Sequence, residues 1–281
     1  MKKQENRGFP PVFYPNLWPE LAVFSEETRI FVAINMFTRM NSTKDYFMTV
    51  IVPVFNEIDN MKRLEKELLD YMKTARLASC ILFVDDGSTD GSTEAIKEMC
   101  ARNKDMFYLA FEKNCGNSAA MKAGIDHADS TYVGYIDADL QTIPQDFNLL
   151  AEYADKYTLV TGVRANRKDT FAKRIQSKIG NAFRRMMTGD DAKDTGCPLK
   201  LIRTENAKKM PLFTGLHRFV PALIALQNGT VKQVPIHHFP RTAGKSKYTM
   251  WNRLIGPFND CFAYRWMKTR YINYKVKDSD L

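Results

Sequence analysis

The chain has 281 residues, of which 44% are hydrophobic and 26% charged, a balance that allows a sizeable core and excludes wholesale disorder. Its longest apolar runs, such as residues 219–226, are far shorter than the ~18–20 residues that a membrane-spanning helix needs. The net charge of +9 is uneven, because residues 1–160 hold 17 basic and 24 acidic side chains and residues 161–281 hold 24 and 8. So basic a second half is typical of a protein that meets nucleic acid, anionic lipid or a phosphorylated substrate.

Three segments follow one another along the chain. Residues 1–47 contain four prolines and no clear hydrophobic period, so we expect an N-terminal extension outside the core. Residues 48–250 are expected to form the main domain, and the basic, aromatic residues 251–281 a separate C-terminal segment.

The main domain begins with a regular alternation of strands and helices. Strands are predicted at 49–54, 81–84, 107–111, 132–136 and 158–161, and helices at 60–75, 93–100, 118–128 and 147–157. This alternation predicts an α/β fold with a mostly parallel sheet and helices on both faces.

Three polar clusters follow the first, second and fourth predicted strands. They are residues 53–57 (PVFNE), 85–91 (DDGSTDG) and 137–141 (DADLQ). Because ligands of open parallel sheets bind at the carboxyl ends of the strands, we expect all three clusters at one edge of the sheet.

Asp137 and Asp139 come directly after an apolar strand, with one residue between them and no Lys or Arg beside them. Two such carboxylates repel each other, and a hard divalent cation, which prefers oxygen ligands and also takes substrate phosphate, relieves the repulsion. A helix cap or a solvated turn is the alternative, since a lone D-x-D is common by chance. The neighbouring acidic strand ends favour the metal site.

The cluster at 85–91 has the composition of a turn that starts the next helix. Asp85 and Asp86 also suit ribose hydroxyls or a base N–H as hydrogen-bond acceptors. Glycines at 87 and 91 let the backbone approach a ligand closely.

Together, these clusters resemble the family-2 glycosyltransferases with a GT-A fold. Four later pieces resemble the polyprenyl-phosphate members of that family, the relatives of dolichol-phosphate mannosyltransferase. They are residues 162–164 (GVR), 194–200 (DTGCPLK), 217–219 (HRF) and 241–248 (RTAGKSKY). The resemblance covers roughly residues 48–250.

The resemblance implies a role for each matching residue. The nucleotide-sugar would be bound by Pro53, Asn56, Glu57, Asp85, Asp86 and Asp137. Mn²⁺ or Mg²⁺ on the donor diphosphate would be held by Asp137, Asp139 and Gln141. The catalytic centre would contain Asp194, Lys200 and Arg218. Acceptor or donor phosphates would be met by Arg164, Arg241, Lys245 and Ser246. Relatives often have Arg where this chain has Lys200, whose ammonium makes no bidentate phosphate contact.

The implied reaction displaces a nucleoside diphosphate from the anomeric carbon of a UDP- or GDP-sugar, with inversion. A sugar hydroxyl acceptor needs a carboxylate as general base, whereas a lipid phosphate is already anionic and needs only cations to position it. The basic second half and the lack of a Q-x-x-R-W motif favour a polyprenyl phosphate, undecaprenyl or dolichyl, as the acceptor.

Two segments suit an anionic membrane surface. Residues 172–187 and 251–266 carry apolar side chains at helical spacing, flanked by Lys and Arg, and basic amphipathic helices with Trp and Phe can lie in the bilayer interface. Packing on the core or on another subunit is the alternative. The two weigh equally for 172–187, whereas the dense aromatic and basic side chains of 251–277 favour the membrane.

The five cysteines form no CxxC, and no apolar signal region follows the basic start. We therefore expect reduced thiols and a cytoplasmic protein that lies peripherally on the inner face of the membrane. A homo-oligomer or a small membrane protein as a further partner is left open.

Two other functions compete with this hypothesis. One is a glycosyltransferase that extends a cell-surface polysaccharide on a sugar hydroxyl. The other is a non-catalytic basic module that binds nucleic acid or membrane. The nucleic-acid version lacks a recognised motif and leaves the ordered acidic strand ends unexplained, so we expect no nucleic-acid partner.

Overall fold

The computed structural model describes residues 42–164, 180, 182–240, 250–274 and 276–278. Residues Thr43–Leu281 cluster by their contacts into one unit and Met1–Ser42 into another. The strands and helices below all lie in the first of these two units.

Within the described residues, seven strands form one sheet in the order β3-β2-β1-β4-β6-β5-β7. They are β1 (Met48–Val54), β2 (Ser79–Asp85), β3 (Met106–Ala110), β4 (Tyr132–Tyr135), β5 (Leu159–Arg164), β6 (Lys200–Arg203) and β7 (Val231–Ile236). Strands β1 to β4 run parallel, as does the β5–β7 pair, and β6 runs antiparallel between β4 and β5. The prediction of a mostly parallel α/β sheet is therefore confirmed, with one reversed strand that the sequence pattern did not predict.

Helices cover both faces of this sheet. They are α1 (Met61–Thr74), α2 (Ser92–Arg102), α3 (Asn117–His127), α4 (Phe147–Ala151), α5 (Thr204–Lys208), α6 (Val220–Leu226) and α7 (Met250–Arg270). One core cluster joins Val50 and Val52 to side chains of α1, α2 and α4, and the other joins Ile51 to side chains of α3, α6 and α7. Strand β1 is thus buried on both faces, which explains its nearly continuous apolar sequence.

Two predicted helices differ from those observed. The helix predicted over 147–157 ends at Ala151, because the backbone continues in tighter turns such as Tyr153 N–H to Leu150 O and Ala154 N–H to Ala151 O. Leu150 and Ala154 remain buried, so the apolar spacing reflected packing rather than a long helix. Of the helix predicted over 172–187, residues 182–188 are helical, and 165–179 and 181 lie outside the described residues.

Helix α7 has two unlike faces along its described side chains. Cys261, Tyr264 and Met267 are buried against the core, whereas Phe258, Phe262 and Trp266 are 49%, 51% and 64% exposed. The predicted amphipathic C-terminal helix is confirmed, and its aromatic stripe faces outward. No helix among the described residues is long and apolar enough to cross a bilayer.

Candidate active site

The first two polar clusters are joined directly to each other at the carboxyl ends of β1 and β2. The Asn56 N–H donates to Ser88 Oγ at 2.9 Å, and Asn56 Oδ1 accepts the Thr89 N–H at 2.7 Å. The Glu57 N–H donates to Ser92 Oγ at 2.9 Å. Asn56 has a left-handed backbone, with φ of 51°, a conformation that Asn tolerates better than most residues. The polar loop after β1 is thus fixed by the loop after β2.

Asp85 and Asp86 are both buried, at 1% and 4% exposure, and both accept hydrogen bonds from the protein itself. Asp85 accepts the hydroxyls of Ser88 and Thr93, each at 2.5 Å. Asp86 accepts the backbone N–H of Cys115 at 2.6 Å and a further N–H and a side-chain amide from 114–116. These carboxylates build the loops at this edge. Their direct contact with a nucleotide stays a prediction.

The aspartates of the third cluster lie in the loop that follows β4. Asp137 is half-buried and Asp139 is buried, and Asp139 Oδ1 accepts the Gln141 N–H at 3.2 Å. The Gln141 carbonyl accepts the Phe239 N–H at 2.9 Å and hydrogen-bonds His238 Nδ1 at 3.0 Å. The segment after β7 therefore lies against this loop.

Asp194 and Arg164 form a bidentate ion pair between the end of β5 and the loop that precedes β6. Arg164 Nε and Nη2 each donate to Asp194 at 2.8 Å, and the Arg164 N–H donates at 3.2 Å. Burial alone lowers the pKa of Arg164, but the hydrogen bonds and charge of Asp194, together with smaller effects such as that of Asp137, raise it overall. Arg164 thus stays charged, and its guanidinium already donates two hydrogen bonds to the Asp194 carboxylate.

Lys200 is buried at the start of β6, with 2% exposure. Its position pairs with Tyr135 of β4 and Thr161 of β5, and its Nζ donates to the Cys197 carbonyl. Burial lowers the pKa of Lys200, and the charges of Asp137 and Asp194 oppose this shift. Asp137 therefore lies within electrostatic range of Arg164 and of Lys200 on the reversed strand β6, although no Lys or Arg stands beside it in the sequence.

His217 and Ser118 complete this edge, although the sequence did not single out either side chain for a role. Ser118 Oγ, at the start of α3, hydrogen-bonds His217 Nδ1 at 2.7 Å and accepts the Gly215 N–H at 3.0 Å. Burial, followed by the charges of Arg218 and Lys200, lowers the pKa of His217 to about 3. Residues 217–219 form one of the motifs of the family resemblance, but that resemblance implies no role for the histidine.

The predicted site residues fall into four groups. Pro53 in β1 and Asp85 at the end of β2 lie next to Asn56, Glu57 and Asp86 in the loops that follow these strands. Asp139 and Gln141 lie with Asp137 in the loop after β4. Mutual electrostatic effects connect Asp137, Arg164, Asp194 and Lys200, and connect Lys200 and Arg218 to His217. Arg241, Lys245 and Ser246 lie outside the described residues. They follow Phe239, whose backbone is held at Gln141.

The donor set fits a hard divalent cation. Asp137 and Asp139 supply carboxylate oxygens from one short loop. In the described part of the chain, no group of three or more His, Cys, Asp or Glu side chains could hold a metal by itself. Two carboxylates with substrate phosphate completing the shell is the arrangement that Mg²⁺ commonly takes.

Comparison with known proteins identifies a family and a relative. The family model described as Glycosyl transferase family 2 matches residues 49–210. The undecaprenyl-phosphate 4-deoxy-4-formamido-L-arabinose transferase of Edwardsiella ictaluri is 31% identical over 204 residues, which cover 72% of this chain and 63% of that protein. The chain thus spans less than two thirds of that relative's length.

Two solved structures share the fold. Glucosyl-3-phosphoglycerate synthase from Mycobacterium tuberculosis, in complex with Mn²⁺ and UDP-glucose, matches with a TM-score of 0.57 and 14% identity over 85% of each chain. S. aureus TarS 1–349, in complex with UDP-GlcNAc, matches with a TM-score of 0.51 and 16% identity, over 77% of this chain and 66% of that one. The family model covers more than half of the sequence, the fold is that of GT-A enzymes, and the chain therefore belongs to glycosyl transferase family 2.

Proposed function

We propose that this protein transfers a sugar from a nucleotide-sugar to a polyprenyl phosphate. The observation that carries the proposal is the hydrogen bonding of Asp194, a carboxylate that the family resemblance puts by the reacting centre. Both of its oxygens accept hydrogen bonds from Arg164. A carboxylate held in this way is a poor general base, because its hydrogen bonds to Arg favour the charged form. An acceptor that is already an anion removes the need for a base.

The cations at this edge suit such an acceptor. Lys200 is buried within electrostatic range of Asp137, and Arg218 lies close enough to help lower the pKa of His217. In a site that excludes water, fixed cations stabilise phosphate charge far better than in solvent. We assign Lys200 and Arg218 to hold the reacting phosphates, and Asp194 to hold Arg164 in place. The lipid phosphate oxygen attacks the anomeric carbon, the bond to the nucleoside diphosphate breaks, and the configuration inverts.

A divalent cation, Mn²⁺ or Mg²⁺, is proposed on Asp137 and Asp139, with Gln141 next to them. When bound, it neutralises charge that grows on the leaving diphosphate. The M. tuberculosis synthase was solved with Mn²⁺ and UDP-glucose, which supports a metal and favours UDP over GDP. The loops of Asn56, Glu57, Asp85 and Asp86 would form the nucleotide pocket.

The outer face of α7 supports a peripheral position on a membrane. Phe258, Phe262 and Trp266 are exposed at successive helical turns, and Phe183 stacks on Phe258 with ring centroids 4.8 Å apart. Exposed basic residues lie around them, namely Arg185, Arg265, Lys268 and Arg270. A helix that lies on a membrane places its aromatic rings at the bilayer interface and its basic side chains toward the anionic headgroups. The relative named above acts, by its name, on undecaprenyl phosphate, and we propose the cytoplasmic face of the membrane as the site of reaction.

The test is release of nucleoside diphosphate from a panel of UDP- and GDP-sugars with Mn²⁺ or Mg²⁺, with and without undecaprenyl phosphate. We expect turnover that needs both metal and lipid phosphate, with product carrying the sugar on the lipid. Turnover on sugar acceptors without the lipid would move the function to polysaccharide extension. No binding of any nucleotide-sugar by folded protein would contradict the donor assignment.

A further inference from the structure

One short turn joins the proposed acceptor cation to two distant helices. Gly215 has φ of 92° and precedes the 3-10 helix Leu216–Phe219, which contains Arg218. On one side, Ser118 of α3 holds the turn through the Gly215 N–H and through His217 Nδ1. The start of α3 thereby fixes the orientation of the segment that carries Arg218.

On its other side, the turn meets the carboxylate of Asp260 in α7. A Cβ placed on Gly215 would lie 2.5 Å from Asp260 Oδ2 and 3.0 Å from its Cγ, so the carboxylate packs directly over the glycine. Burial raises the pKa of Asp260 and the nearby charge of Arg218 opposes that shift. Asp260 therefore lies within electrostatic reach of Arg218, at the start of the helical run 216–226, where a negative charge is favourable.

The same stretch of α7 carries the outward aromatic face. Phe258 and Phe262 stand two residues before and two after Asp260 and are about half exposed, at 49% and 51%. Cys261 and Tyr264 are buried and fix the helix on the core. One rigid helix thus presents aromatic rings outward and a carboxylate to the turn of Arg218.

We propose that Asp260 is a positioning residue that orients Arg218 toward the acceptor phosphate and so ties the proposed membrane-facing helix to the acceptor site. This inference rests on the proposed function, because it gives Arg218 the acceptor phosphate as its ligand. It assigns no chemical step to Asp260, which acts only through Arg218.

The test compares wild type, Asp260→Asn, Asn259→Ala and Arg218→Gln in the full chain, with undecaprenyl phosphate and the nucleotide-sugar varied separately. Asp260→Asn keeps the shape and removes the charge, and the exposed Asn259 is the matched control on the same helix. We expect Asp260→Asn to raise the KM for the lipid phosphate about tenfold, the size expected for removing one charge close to Arg218. The KM for the nucleotide-sugar and the melting temperature should change little, and Asn259→Ala should match wild type.

The double variant Asp260→Asn/Arg218→Gln decides whether Asp260 acts through Arg218. We expect it to behave like Arg218→Gln alone, since a positioning residue has no effect once its partner is gone. Independent effects that multiply, or an unchanged lipid KM in Asp260→Asn, would overturn the inference while leaving transfer by wild type, and with it the proposed function, intact. If Asp260→Asn loses stability and raises both KM values equally, its role is structural and the inference is wrong. Absence of lipid transfer by wild type would overturn both proposals.

Discussion

Arg164 holds Asp194 with three hydrogen bonds, two from its guanidinium and one from its backbone N–H, at 2.8, 2.8 and 3.2 Å. The contact joins the last residue of β5 to the loop that leads into β6, 30 positions later in the chain. Their side chains are only 16% and 9% exposed, so both charges are largely shielded from water. This pair ties the end of β5 to the loop that leads into β6, within electrostatic range of Asp137.

Removing the charge of Asp194 should therefore lower stability. We expect Asp194→Asn to reduce the free energy of unfolding by about 2–3 kcal/mol, because a buried Arg164 is left without its anion. Asp126→Asn, which breaks an exposed pair with Lys122, is the control and should cost less than about 0.5 kcal/mol. Urea denaturation of both variants measures the difference. Equal, small losses would show that the Arg164 pair does not hold the strands.

Lys200 should contribute to turnover itself and not only to nucleotide binding. We expect Lys200→Met to lower kcat about a hundredfold, the usual effect of removing one fixed charge-stabilising group from a reaction centre. The exposed Lys193 lies in the same loop region, and Lys193→Met should keep wild-type activity. Metal-dependent diphosphate release is the measurement. Full activity in Lys200→Met would exclude this lysine from the reaction.

The burial of His217 should make the free energy of unfolding depend on pH. Burial is the main cause that lowers the pKa of His217 to about 3 in the folded protein. Below about pH 6.5, the unfolded chain therefore takes up a proton at His217 that the folded chain does not take up. Its contribution to stability is complete above pH 6.5 and is lost as the pH falls. We expect wild type to lose more stability than His217→Gln between pH 6.5 and 5, with a slope that rises toward about 1.4 kcal/mol per pH unit. Parallel pH profiles of the two proteins would contradict a neutral, buried His217.

Gly87 should be required for a different reason than Gly91, although both have positive φ, 71° and 96°. A Cβ on Gly87 would lie 2.5 Å from the Lys113 carbonyl carbon, whereas one on Gly91 meets nothing closer than a side-chain atom at 3.8 Å. We expect Gly91→Ala to cost about 1–2 kcal/mol of stability from backbone strain alone. Gly87→Ala should cost more and also weaken nucleotide-sugar binding, because it displaces the 113–116 loop that holds Asp86. Calorimetry of unfolding and of UDP-sugar binding would separate the two effects, and equal losses would show that this close backbone contact is unimportant.

The outward face of α7 should bind anionic vesicles. We expect Phe262→Ser combined with Trp266→Ser to weaken binding to phosphatidylglycerol vesicles about tenfold or more, because buried apolar area drives interfacial binding. Phe47→Ser removes a ring that is 56% exposed just before β1 and should leave binding unchanged. Vesicle sedimentation at two salt concentrations also tests the basic residues, whose contribution should fall at high salt. Similar binding by all three proteins would remove α7 from the membrane hypothesis.

Local sequence patterns predicted the class of fold, which the structure confirms, and the edge of the sheet at which we place the site. Apolar β-branched runs such as 49–54 can only be buried strands, and polar clusters directly after such strands have to meet at their carboxyl ends. These are local patterns, set within a few residues, so one sequence suffices to find them. The outward aromatic stripe of 258–266 is local in the same sense, although only packing settled which side of the helix faces the core.

The tertiary structure alone decided which charges meet. Lys200 comes within electrostatic range of Asp137 because β6 runs antiparallel between β4 and β5, and nothing in the four residues of β6 specifies that position or direction. Likewise, Ser118 and His217 are 99 positions apart and meet only because α3 and the turn at Gly215 pack together. Such contacts depend on the strand order and on the packing of the whole domain. The local sequence around a side chain does not specify which distant segment will pack against it.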